Sequence, residues 1–153
     1  MTSASIIVPS RGGRHRLPRL LDSASRQTSG DFEVIVVLDG DVDDSAGLLA
    51  RYRASYPLRV IEFPENRGRA AALNAGFHAA EGQVLIRADD DLELEADFVE
   101  HHVRLHAASD CGVIAMCRDV FPDTPYARAY GRAADERIRA AAHVEPPETR
   151  WRW

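Results

Sequence analysis

Apolar positions along the chain fall into two kinds of run that take turns. Ala4 to Val8 (ASIIV), Phe32 to Leu38 (FEVIVVL), Leu58 to Phe63 and the short run beginning at Val84 are compact and rich in β-branched residues, which predicts strands. Between them apolar residues recur at helical spacing: Leu17, Leu20, Leu21 and Ala24, then Leu48, Leu49, Tyr52 and Tyr56, then Leu73, Phe77 and Ala80, then Phe98, Val99, His102, Val103 and His106. The punctuation fits this reading. Pro9 stops the first strand, Pro18 suits a first helical turn, Pro57 stops the second helix and Gly82 the third, and the fourth leads to Gly112. Val113 to Val120 predicts a fifth strand. After the breaks at Pro122 and Pro125, Tyr126, Ala129, Tyr130, Ala133, Ala134, Ile138 and Ala141 predict a closing amphipathic helix.

Strands alternating with helices predict an α/β fold with a doubly wound, mostly parallel sheet of Rossmann-like architecture, because parallel neighbours need crossover connections. FEVIVVL is an apolar run of the kind buried on both faces of such a sheet. In that architecture ligands sit beyond the carboxyl ends of the strands, near the switch in strand order. Polar residues occur at those ends: Ser10 and Arg11 after the first strand, Asp39 and Asp41 after the second, and Asp89, Asp90 and Asp91 after the fourth. Three adjacent carboxylates repel one another. Helix capping accounts for one of them, or two, whereas a hard divalent cation such as Mg²⁺ or Mn²⁺ accounts for a group of acids at a strand end.

Charge and composition narrow the chemistry. The net charge is −5, so no diffuse basic field exists to bind nucleic acid. All 19 basic residues are arginine, which removes the P-loop lysine, Schiff-base chemistry and a lysine general base. An acidic chain that handles phosphates then needs local arginines or a cation. Cys111 and Cys117, six apart in one apolar run, read as reduced and buried. The absence of a leader-like or long apolar segment makes a cytoplasmic location the expectation. His102 and His106, four apart beside Val99 and Val103, read as core histidines rather than zinc ligands.

The motifs in order resemble the nucleotide-binding half of a family 2 glycosyltransferase with the GT-A fold. IIVPSRGGR stands where that family has a strand, a proline, a small hydroxyl residue and an arginine. VIVVLDGDVDDS resembles its Asp-Asp-Gly-Ser-Thr-Asp-like turn, ENRGRAAALNAGFHAAEG its Asn-x-Gly, Ala-x-Asn-x-Gly and Ala-x-Gly series, and VLIRADDD its DxD-type metal motif. The resemblance covers roughly residues 4 to 120. It implies transfer of a hexose from a nucleotide-diphosphate sugar to an acceptor hydroxyl on a saccharide, a lipid carrier or another molecule, a membrane-associated acceptor included. It implies donor-site roles for Pro9, Ser10, Arg11, Asp39, Asn66, Arg69, Asp89 and Asp90, with Asp39 accepting from the base or ribose and Arg67 or Arg69 reaching a phosphate. Asp89 and Asp91 would hold Mg²⁺ or Mn²⁺. Register within the triplet stays open, since any two of three identical residues would serve.

Two departures stand out. Leu38 replaces the first acid of the Asp-Asp-Gly turn. The family's acceptor-binding half, which supplies the catalytic base, is not recognisable, and Asp135-Glu136 reads as a solvated helix face. The expected division is therefore a donor-binding core over 1–122, followed by a helix and tail over 123–153 that lead toward an absent acceptor half. No catalytic residue is assigned. Alternative readings are a non-catalytic or truncated donor-binding fragment, a phosphatase using Asp39-Gly40-Asp41-Val42, and a nucleotidyltransferase using Arg11-Gly12-Gly13-Arg14. Trp151 and Trp153 read as an apolar end rather than a sugar platform.

Overall fold

The computed structural model describes residues 2–115, 117, 120, 123–131, 133, 136, 137 and 140. It divides the chain into two compact units, Met1–Val113 and Ile114–Trp153. The first unit carries four strands: β1 (Ala4–Ser10), β2 (Phe32–Asp39), β3 (Leu58–Phe63) and β4 (Val84–Arg87). Every pairing is parallel and the order is β3-β2-β1-β4. The chain thus winds outward from β1 to β3, then crosses back to place β4 on the other side of β1. The switch point lies between β1 and β4.

Strand alternation sorts the core into two layers. Ala4, Ile6 and Val8 of β1, with Phe32, Val34, Val36 and Leu38 of β2, pack under α1 (Leu17–Ala24), α2 (Ser45–Arg51) and α4 (Phe98–Ala108). Ile35 and Val37 face the opposite way, onto α3 (Arg69–Ala79). All eight residues of β2 are buried, as expected of a strand covered on both faces.

Pro9 continues β1, paired with Val37, where the sequence predicts a stop. The Ile7 carbonyl accepts a hydrogen bond from the Ala88 N–H (3.0 Å), so Ile7 directs its backbone polar groups toward β4. Pro9, two residues on, faces the same side but lies past Arg87, the last residue of β4, and its missing N–H costs no ladder bond. β4 is an edge strand among the described residues rather than a fully buried one, with Leu85 48% exposed.

The helices also differ from their predicted stripes. α2 ends at Arg51 and Tyr52 is extended, so Tyr56 belongs to no helix. It packs back against the core nonetheless, its hydroxyl donating to the Leu21 carbonyl (2.9 Å) and its ring 5.2 Å from that of Phe32. α3 buries Ala72 and Gly76, with Ala75 and Ala79 beside them, while Leu73 and Phe77 are only half-buried. Small residues let this helix lie close to the sheet, and an alanine-rich segment gives the stripe little contrast to read. α3 and α4 close at Ala79 and Ala108, ahead of the glycines expected to end them.

The described residues of 113–120 form no strand, and Cys111 and Cys117 are free but exposed rather than buried. In the second unit a π-helical turn, Ala127–Gly131, is tied by the Arg128 N–H to the Thr124 carbonyl (3.0 Å) and by Arg128 to Asp123 (2.9 Å). Asp135, Trp151 and Trp153 lie outside the described residues.

Candidate functional site

A cavity of about 530 Å³ opens at the carboxyl ends of the strands, at the switch point. Pro9, Ser10, Arg11, Asp39, Asn66, Arg69, Asp89, Asp90 and Asp91 all line it, together with Arg16, Gly68 and Ala72. All but one of the residues that the sequence nominated for the donor or the metal are therefore brought to one place. Arg67 is not: its guanidinium lies over the Phe63 ring, 4.9 Å from the centroid.

Asp39, at the tip of β2, is buried (5% exposed) and accepts the backbone N–H groups of Arg67 (2.6 Å) and Gly68 (2.9 Å). It therefore fixes the turn that opens α3, where a negative charge also suits the helix dipole. Asn66 takes part through its side-chain oxygen, which accepts the Gly68 N–H (2.9 Å). Gly40 makes the approach of this turn to β2 feasible. It has φ +74°, and a Cβ there would lie 2.8 Å from the Asn66 nitrogen.

The three adjacent aspartates have three different environments. Asp89 pairs with Arg87 (3.0 Å) and lies 4.0 Å from Arg69. Asp90 is buried and receives three donors: Arg16 Nε (2.8 Å), Arg16 Nη2 (3.0 Å) and Ser10 Oγ (2.5 Å). Those hydrogen bonds to Asp90 raise the Arg16 guanidinium above its ordinary pKa, against a smaller opposing effect of burial, with help from the charges of Asp90, Asp91 and Asp43. Asp91 is exposed and makes no side-chain hydrogen bond or ion pair with a described residue. Arg11 is likewise exposed on the cavity without such a partner.

Sequence reasoning missed Arg16. It precedes α1 and meets an aspartate 74 positions away, a pairing for which the local sequence holds no signal. The neighbouring acids do capping work instead. Asp41 accepts the N–H groups of Ala46 (2.9 Å), Ser45 (3.0 Å) and Asp43 (3.2 Å) around the start of α2, which hold its carboxyl below the usual range despite some burial. Arg14 joins the loop after β1 to that turn through the Asp43 side chain and through the carbonyl and carboxylate of Asp44. With Asp39 holding backbone groups and Asp41 capping, neither stands as the free nucleophile that a phosphatase reading requires.

Away from the cavity, His102 is buried against Phe98 (ring centroids 4.7 Å), and burial followed by the nearby His106 and His101 pushes its pKa down. The Nδ1 of His106 bonds the His102 carbonyl (2.8 Å). Among the described residues, no three His, Cys, Asp or Glu side chains converge as a ready metal cage. Mg²⁺ and Mn²⁺ do not need one when a substrate phosphate completes the shell, because one or two carboxylates then suffice. Asp89 and Asp91, both on the cavity wall, form a donor set that fits such a shared ion.

Residues 5–149 match the family described as Glycosyl transferase family 2. The chain belongs to that family. Its relatives include the undecaprenyl-phosphate 4-deoxy-4-formamido-L-arabinose transferase of Pseudomonas syringae, 33% identical over 81% of this chain and 38% of that protein. Among solved structures, it is similar to Staphylococcus aureus TarS 1–349 in complex with UDP (TM-score 0.64, 25% identity, 69% of this chain and 32% of that one). It is also similar to the mannosyltransferase PcManGT of Pyrobaculum calidifontis in complex with GDP-Man and Mn²⁺ (TM-score 0.55, 28% identity, 57% and 27%). The parallel sheet is thus that of a GT-A glycosyltransferase. The chain spans well under half the length of curated relatives such as these, from 26% to 42%. No described helix of this glycosyltransferase domain is long and apolar enough to cross a membrane.

Proposed function

We propose that the cavity binds the nucleoside diphosphate of a sugar donor together with a divalent cation, as the donor half of a hexosyl transferase. The observation that carries this reading is the charge balance of the lining. Three arginines (Arg11, Arg16, Arg69) face four aspartates (Asp39, Asp89, Asp90, Asp91), and Arg87, paired with Asp89 from beside the lining, brings the local formal charge to zero. A diphosphate entering that cavity meets no net positive charge to offset its own, and one divalent ion supplies it. UDP in TarS and GDP-Man with Mn²⁺ in PcManGT support the choice of ligands.

In this reading Asp89 and Asp91 hold Mg²⁺ or Mn²⁺. Arg11 and Arg69 meet the phosphates, while Pro9, Ser10 and the Asn66 turn held by Asp39 wall the nucleoside. The bound cation supplies Lewis-acid neutralisation of the charge that builds on the departing diphosphate. Transfer breaks the bond from the anomeric carbon to the diphosphate oxygen and makes one to the acceptor oxygen. The base that takes the acceptor's proton is assigned to no residue of this chain. Donor binding and turnover are accordingly separate proposals, and binding is the one these residues carry.

Calorimetric titration of the protein with UDP and with GDP, each with and without Mn²⁺, tests the reading. One nucleotide is expected to bind at least about tenfold more tightly with the cation, a difference of about 1.4 kcal/mol. Equal affinity in both conditions would remove the cation bridge, and no binding in either would remove the donor site.

A further inference from the structure

We propose that Arg16 is a positioning residue for the donor site: its two-pronged pair with Asp90 withdraws the middle carboxylate of the triplet and leaves only Asp89 and Asp91 to face the cation and diphosphate. This deepens the donor-site reading and rests on it.

Sequence cannot rank three consecutive aspartates, but their surroundings do. Asp90 is 9% exposed and both of its oxygens are engaged, one by Arg16 Nε and the other by Arg16 Nη2 and Ser10 Oγ. Recruiting it to a metal would break the three hydrogen bonds that offset the desolvation of this buried carboxylate, which is costly. The planar guanidinium fork matches the carboxylate with two parallel bonds, a geometry lysine cannot reproduce.

The loop between β1 and α1 is built around this pair. Arg16 is anchored by its N–H to the Gly13 carbonyl (2.9 Å). At Gly13 itself, a Cβ would overlap Ser10 Oγ and come within 2.8 Å of Asp90 Oδ2, so the chain crosses directly over the Ser10–Asp90 bond. Asp89 also accepts from an arginine, Arg87 Nη2 at 3.0 and 3.2 Å, but this pair is exposed (47% and 37% on the two side chains), and Asp91 holds no hydrogen bond or ion pair with a described residue. The pair with Arg16 withdraws one carboxylate of the triplet; Asp89, whose partner Arg87 is itself exposed, and Asp91 stay accessible to an incoming ion. The Arg16 pair also pins the 89–91 turn to the start of α1, as the Ser10 hydroxyl pins it to the tip of β1.

Two affinities measured side by side test this: that for Mn²⁺ alone, and that for UDP or GDP in saturating Mn²⁺. Arg16→Met frees the third carboxylate and removes a cation from the cavity. It is expected to tighten Mn²⁺ alone roughly fivefold and to weaken the nucleotide by a similar factor, the scale of one unit charge near a half-exposed site. The double variant Arg16→Met with Asp90→Asn is expected to return Mn²⁺ to within about twofold of the unaltered protein while the nucleotide stays weakened, because a withdrawn carboxylate contributes nothing to the ion. A loss of Mn²⁺ affinity of tenfold or more in the double variant would make Asp90 a ligand and overturn the proposal. So would Arg16→Met lowering both affinities together or leaving both unchanged. Should Arg16→Met fail to fold with its buried carboxylate exposed as unpaired, the double variant, in which both charges are gone, decides alone. Failure of the unaltered protein to bind either nucleotide in a cation-dependent way would instead strike the donor site itself, and the role of Arg16 with it.

Discussion

β2 carries a carboxylate near each end of one face, Glu33 and Asp39, and the two clamp opposite ends of α3. Asp39 accepts the N–H groups of Arg67 and Gly68 just before the helix. Glu33 accepts the Glu81 N–H (2.7 Å) just after it, together with the Ser5 hydroxyl (2.7 Å) and Arg59 (3.2 Å). Ser5 in turn accepts the Gly82 N–H (2.8 Å), and Arg59 reaches Glu81 (2.9 Å). At the Glu33 end every group is engaged and the network closes on itself. At the Asp39 end the closed pairs, Asp39 with its turn and Asp90 with Arg16, stand beside an exposed Asp89–Arg87 pair and two groups left open, Arg11 and Asp91. Buried charge needs partners wherever it sits, so pairing alone does not mark function. What separates the two rims is the charge left uncommitted beside a cavity.

The comparison breaks most visibly through stability. Glu33→Ala leaves Ser5, Arg59 and the Glu81 N–H without their shared acceptor and is expected to cost about 3 kcal/mol in urea denaturation, toward the low end for a buried pair because Arg59 is partly exposed. Donor binding should survive in the fraction that stays folded. Asp39→Ala is expected to cost less, about 2 kcal/mol, because water can reach part of the turn it caps, yet to weaken nucleotide binding as well. Equal effects of the two substitutions on binding would erase the distinction between the rims.

Next in size, Asp91→Asn is expected to leave the urea midpoint nearly unchanged while weakening cation-dependent nucleotide binding about tenfold, as loss of a charged ligand at an open position should. A destabilised variant would instead assign that aspartate to the fold.

The smallest effect sharpens the Glu33 end alone. Burial would raise this carboxyl, but the bonds from Ser5 and the Glu81 N–H and the charge of Arg59 outweigh it and hold the pKa below the ordinary 4.5. A folded pKa below the unfolded one means that its contribution is complete above about pH 4.5 and fades as pH falls through the lower folded value. Stability should therefore decline less steeply below that pH in Glu33→Gln than in the unaltered chain. Parallel acid profiles would show that Glu33 is not held in this way.

Much of this was legible in the chain. The run 58–63 predicted β3 at its observed bounds, and Phe32 to Leu38 fell one residue short of β2. The period of apolar residues found all four helices of the first unit. Ser10, Asp39 and the acid triplet were placed at the strand tips by order alone, and they share one cavity. Errors came where neighbours decide. Whether Pro9 ends a strand depends on where β4 stops alongside it. Which face of α3 is buried depends on how closely an alanine-rich helix can approach Ile7. Tyr56 joins the core from outside any helix because Phe32 and the Leu21 carbonyl meet it there.

By itself the sequence determined that strands and helices alternate, that the strand tips are polar, and that motifs resembling family 2 run in order over roughly residues 4 to 120. These are consequences of local periodicity and chain order, which need no knowledge of what lies across a gap. Only the tertiary structure decided which of three identical aspartates is withdrawn and which stay open. A carboxylate's role follows from the donors within about 3 Å of its oxygens, and the fold draws those for Asp90 from 74 and 80 positions away.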